Sequence, residues 1–106
     1  MKSNRSKACD ISQSTKKKVW QRDDQRCVCC GSSSAMPNAH FISRAKGGMG
    51  IEENIVTLCA NCHRCFDHTD ERPEYRNYIR AYLKTKYPNW NEESLVYRKW
   101  NDGKVL

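Results

Sequence analysis

Two Cys-x-x-Cys pairs constrain this chain more than any other feature: Cys27-Val28-Cys29-Cys30 and Cys59-Ala60-Asn61-Cys62. Two thiolates at that spacing in a turn face one ion, and two such pairs complete the tetrahedron that zinc prefers. The 28 residues between Cys30 and Cys59 would then close as a loop around the ion. A staple is needed, because 38% apolar and 29% charged residues in a chain of 106 leave a thin hydrophobic core. Structural zinc supplies an apparent ~10–16 kcal/mol in small finger peptides, enough to decide whether such a chain folds. The odd count of seven cysteines argues against a fully paired disulfide framework. Met1–Lys18 is polar and basic, without the apolar run of a secretory signal. No stretch approaches the ~20 apolar residues that cross a bilayer. A reducing, intracellular setting is therefore expected, where clustered cysteines hold metal more often than each other.

The expected structural zinc ligands are Cys27, Cys30, Cys59 and Cys62. Cys29 and Cys65 are surplus. Cys62-x-x-Cys65 is itself a permissible pair, but Cys65 would sit most of a turn further into a helix. Cys9 is expected to be free.

Local patterning divides the chain into an arm and one domain. Residues 1–13, with Lys2, Arg5 and Lys7, lack apolar periodicity and are expected as a flexible basic arm. Residues 14–106 form a single domain, with a core module over 27–68 and a helical extension over 73–100. Ser14 can cap a helix running to about Gln25 that carries Val19 and Trp20. Asn38–Ser43 reads as a strand on the β-propensity of Phe41 and Ile42, and Asn54–Leu58 as a second. The glycines of Lys46–Gly50 impose a loop between them. Ala60–Asp67 is helical. Pro73 suits the first turn of another helix that Pro88 ends, with Tyr75, Tyr78, Ile79, Tyr82 and Leu83 on one face. Asn91 can cap a last short helix bearing Leu95, Val96 and Trp100. The fold class is small α+β: strand, loop, strand and helix around a four-cysteine staple, flanked by an N-terminal helix and C-terminal helices.

A balance of 19 Lys+Arg against 12 Asp+Glu gives +7, with a pI near 9.2. Such an excess suits a polyanion, because each neutralised phosphate releases counterions. A soluble basic surface would show the same statistic.

Within the core module His40 falls on the first strand, Asn54 at the start of the second, and His63 on the helix after Cys62. The text CVCCG, AHFISR, GG and ENIVTLCANCH resembles the HNH, or ββα-metal, endonucleases, above all their cysteine-stapled phage and bacterial branch. The resemblance covers Cys27 to His68. It implies hydrolysis of DNA phosphodiester bonds, leaving 5′-phosphate and 3′-hydroxyl ends. His40 would be the general base, since a neutral imidazole accepts a water proton near neutral pH. Asn54 would orient that base, and His63 would ligate a catalytic divalent ion (Mg²⁺, Mn²⁺ or Ni²⁺). Asp67 follows His63 by four residues and shares its helical face, with His68 as the alternative second ligand. Arg44 and Lys46 would grip phosphates, and the glycines would let the loop approach DNA.

Each of these residues also has a plainer reading. Asn54 can be a turn residue, and His63 a spare zinc ligand. The pattern departs from many relatives at Ala39, which precedes the base where those relatives place a metal ligand. The site would then run on His63 and Asp67 with Asn38 or Asn54, bind metal weakly, or be inactive. The competing functions are therefore an endonuclease, a non-catalytic zinc module binding DNA, and a purely structural zinc ribbon. Implied partners are DNA and phage packaging proteins, in a phage or mobile-element setting; no membrane is involved.

Overall fold

A computed structural model describes residues 3–68, 70 and 72–98. Its elements run α1 (Asn4–Cys9), α2 (Gln13–Arg22), β1 (Ala35–His40), β2 (Ile55–Cys59), α3 (Ala60–Asp67) and α4 (Pro73–Lys86). One-turn 3₁₀ segments occur at Arg44–Lys46 and Glu92–Leu95. The two strands pair antiparallel, so the centre is the expected strand, loop, strand and helix.

β2 is buried along its whole length, which is why it reads as an unbroken Ile-Val-Thr-Leu-Cys run rather than an alternating one. α2 packs on it through buried Val19, while α3 and α4 bring Phe66, Ile79 and Leu83 into the same core. Phe41 is the centre of that core. Its ring stacks on Phe66 at 6.2 Å and meets the edge of Trp90 at 5.6 Å. On α4 the expected stripe is graded: Ile79 and Leu83 are fully buried, Tyr75 and Tyr82 half-buried, and Tyr78 is 52% exposed.

β1 lies three residues earlier than the propensities of Phe41 and Ile42 suggest. Ala35 and Met36 pair with Cys59 and Leu58, Ala39 and His40 with Val56 and Ile55, and the register breaks between Met36 and Ala39. Pro37 sits at that irregularity, where a missing N–H costs least. Phe41 donates to the Asn54 carbonyl at 2.7 Å, and beyond it the Asn54 side chain takes over from the strand. Tertiary pairing has overridden local preference.

The N-terminal stretch expected as a flexible arm is instead ordered and docked. Ser3 caps α1 through Ser6 N–H, and Cys9 is 2% exposed. Arg5 donates to the carbonyls of Arg44 and Ala45 at 3.1 and 2.9 Å. α2 is capped by Ser12 rather than Ser14, and it stops at Arg22 because Asp24 and Gln25 adopt left-handed φ values of 57° and 59°. Asn91 does cap a turn, with its Oδ1 accepting from Glu93 N–H at 3.0 Å, but the segment is a 3₁₀ turn. Its end returns to the loop, where Met49 donates to Leu95 and Tyr97 to Gly47. Lys2 and Trp100 lie outside the described residues.

A buried ionic centre ties α2, β2 and α4 together. The side chain of Asp23 is fully buried. It accepts twice from Arg22 (2.7 and 3.0 Å), once from Thr57 N–H (2.9 Å) and once from the Tyr82 hydroxyl (2.5 Å). Arg22 also donates to the carbonyls of Glu52 and Ile55, each at 2.7 Å. Removing the carboxylate would strand a buried guanidinium and a strand amide together. Asp23→Ala is expected to cost about 3–5 kcal/mol in urea unfolding, as other broken buried pairs do; a loss under 1 kcal/mol would contradict this account.

Candidate functional site

The thiols come first, because they position everything after them. The Sγ atoms of Cys27, Cys30, Cys59 and Cys62 all lie within 4.8 Å of one another, and Cys30 and Cys59 are 3.6 Å apart. Zinc–sulfur bonds of ~2.3 Å in a tetrahedron put sulfurs ~3.8 Å apart, so the donor set fits such an ion. Burial pushes the Cys27 thiol up, but backbone amides from Cys59, Cys30 and Cys29 outweigh it and hold it at about 7. Cys29, by contrast, is driven up to about 12 by burial and by its neighbouring thiols, which suits a neutral thiol outside the cluster. Cys65 is also outside it. Cys9 takes part in no disulfide, and it is buried.

The cluster sets the phase of α3. Cys59 caps that helix, its sulfur accepting from Cys62 N–H at 3.4 Å. Cys62 and Phe66, four apart, turn inward. His63 and Asp67 therefore share the adjacent outward stripe, with His63 Nε2 and Asp67 Oδ1 3.9 Å apart. Adjacent ligands in an octahedron with ~2.1 Å arms lie ~3 Å apart, so a small rotamer change would let both reach one divalent ion. Asp67 is thus the partner that His63 has, while His68 is the residue ending the helix. Among the described residues the four thiols are the one set of three or more His, Cys, Asp or Glu donors around a common point. A second ion would accordingly take two protein ligands and fill its remaining positions with water or substrate oxygens.

His40 closes β1 and lines a polar groove of about 250 Å³ with Ser43, Lys46, Asp67, Asp70 and Arg76 among its walls. Its Nε2 lies 2.8 Å from the Cys9 carbonyl oxygen. Burial lowers the His40 pKa below its ordinary value; the Cys9 contact and Asp10 oppose this, while Arg44 and His63 add to it. His63 itself lines a second groove, with Asn38 and Met36. The 3.9 Å His63–Asp67 contact links a residue of one groove to a residue of the other. Ala39 lines neither groove: it is 0% exposed and belongs to the core, so position 39 packs here and offers no ligand.

The structure gives partners to Asn54, Arg44 and the loop glycines. Asn54 is 0% exposed, and its amide is committed to backbone: Oδ1 accepts from Ile42 N–H at 2.8 Å, and Nδ2 donates to Ile42 and Met49 carbonyls at 3.2 and 2.8 Å. It clamps the loop after β1 and makes no hydrogen bond to the imidazole of His40. Arg44 turns from the expected DNA face to the N-terminal segment, donating to the Cys9 carbonyl at 2.8 Å and to Asp10 at 2.9 Å. Lys46 stays exposed at the groove. The glycines approach the protein's own backbone rather than a ligand, for Gly47, Gly48 and Gly50 are all buried and a Cβ at Gly48 would lie 1.7 Å from the Ile42 carbonyl oxygen.

The groove also holds residues that the motif does not reveal. Asp70 follows α3, and Arg76 reaches in from α4, its guanidinium 4.2 Å from the centroid of Phe41. Neither sits at a telling spacing; only a regular α4 stripe hints that Arg76 flanks the buried face.

Residues 27–70 match the family model for HNH endonuclease. No curated protein and no solved structure matches the chain.

Metal analysis of the purified chain is expected to find one tightly held zinc, retained in Cys29→Ser and Cys65→Ser but lost in Cys59→Ser. Loss of zinc should abolish the cooperative thermal transition, given the ~10–16 kcal/mol that such an ion supplies. Zinc lost from Cys29→Ser and kept by Cys59→Ser would reassign the ligands.

Proposed function

We propose, from the HNH match over residues 27–70 and the groove that His40 shares with Asp67 and Lys46, that this chain is a metal-dependent DNA endonuclease. The observation that carries the reading is this convergence. A half-buried imidazole whose pKa burial lowers stands near a solvent-accessible imidazole–carboxylate pair fit for one divalent ion. His40 accepts the proton of a water attacking phosphorus, so that hydroxide develops only where the phosphate is held. Lys46 offers a positive charge to the non-bridging oxygens. His63 and Asp67 would hold Mg²⁺, Mn²⁺ or Ni²⁺, which when bound stabilises charge on the phosphate and on the departing 3′ oxygen. The products are a 5′-phosphate and a 3′-hydroxyl. A phage or mobile-element setting inside the cell follows from the resemblance and the cysteine chemistry, with packaging proteins as the candidate partners.

Ala39 favours a second reading, a zinc-stapled DNA-binding module with weak or no cleavage, since two protein ligands hold an ion less tightly than three. Supercoiled plasmid with each ion separates the two. Nicking is expected, with His40→Ala slower by roughly 10²- to 10⁴-fold, while shifted DNA with no nicks under any ion would leave only the binding module.

The active form of His40 is the neutral one, and its pKa is lowered. Nicking should therefore hold as pH falls to the ordinary histidine value of ~6.5 and be lost only below it. An inflection above 7 would count against His40 as the base.

A further inference from the structure

We propose that the N-terminal segment, outside the matched module, is the positioning element of the active site: the backbone carbonyl of Cys9 holds the His40 imidazole as its Nε2–H tautomer and presents Nδ1 as the base. The proposal rests on the nuclease reading for its catalytic consequence only. A carbonyl oxygen can accept but never donate, so the 2.8 Å contact requires a proton on Nε2. In a neutral ring Nδ1 must then carry the free lone pair. When Nδ1 takes the water's proton, Nε2–H is unchanged, and the same oxygen goes on accepting from the imidazolium. One contact thus serves the ring before and after proton transfer.

The carbonyl is itself held in place. Arg44 donates to it at 2.8 Å from the loop side and grips Asp10 at 2.9 Å. Gly50 N–H donates to the Ala8 carbonyl at 2.9 Å, and Arg5 binds two carbonyls of the loop. The loop approaches so closely that a Cβ at Gly50 would lie 2.1 Å from the Asp10 carbonyl oxygen. Burial of Cys9 anchors the segment from below. The Asn54 amide is engaged on the backbone of Ile42 and Met49, and the hydrogen bond to the His40 ring comes from the Cys9 carbonyl.

Two variants test this, Gly50→Ala and the surface pair Arg5→Ala/Asp10→Ala, the second guarding against misfolding of the first. In the parent chain, ¹⁵N NMR of His40 above its pKa should show a protonated Nε2, a pyridine-type Nδ1, and an Nε2–H proton protected from exchange. Both variants should lose that protection while keeping their zinc. Their nicking should fall roughly 10- to 100-fold in kcat with KM little changed, the size of loss seen when partners that orient metal-bound imidazoles are removed. A parent His40 with the proton on Nδ1, or an Nε2–H exchanging as in free imidazole, would overturn the assignment. So would variants that lose the protected proton yet nick at the parental kcat. If the parent does not nick DNA at all, the nuclease reading fails while the NMR result still decides the positioning contact.

Discussion

Convergence of four thiols is the constraint on which the rest of this molecule depends. Without an ion between them, Cys27, Cys59 and Cys62 would be buried polar sulfurs in a chain with little apolar surface to hold them. Joined, they bind the turn after α2, the end of β2 and the first turn of α3 into one corner. The consequence is angular as much as energetic. Because Cys62 must face the cluster, His63 must face away from it one residue later, and Asp67 follows a turn below.

Elsewhere in the core, position is set by polar groups that answer one another in the interior. Asp23 joins α2, β2 and α4 through a carboxylate that accepts from every side. Asn54 does the same for the loop after β1, substituting its amide for a ladder that the strands no longer provide. Left without partners, each would cost more than a lost contact, since a buried polar group without a hydrogen bond carries its full desolvation penalty.

The groove's chemistry depends on residues far apart in sequence. His40 belongs to β1, Asp67 to α3, Arg76 to α4, and the carbonyl against His40 to α1. Arg44 illustrates the point. By position it follows the candidate base and reads as a phosphate contact, yet its guanidinium is engaged by Cys9 and Asp10. Lys46, two residues on, has no such partner among the hydrogen bonds described and remains exposed.

Much of the centre was legible in the chain itself. The thiol set, the limits of α3 and the pairing of His63 with Asp67 follow from spacing, because metal geometry and helical periodicity are local rules. The buried stripe of α4 is legible for the same reason, with Ile79 and Leu83 at its centre. Other features were decided only in three dimensions. The start of β1 at Ala35, against the propensity of Phe41 and Ile42, is chosen by pairing with Cys59 and Leu58. The docking of α1, the turning of Arg44, the burial of Ala39 and the carbonyl on His40 are long-range contacts with no periodicity to announce them. Spacing along a chain determines which donors can share a face; only the packed structure decides which partner each of them meets.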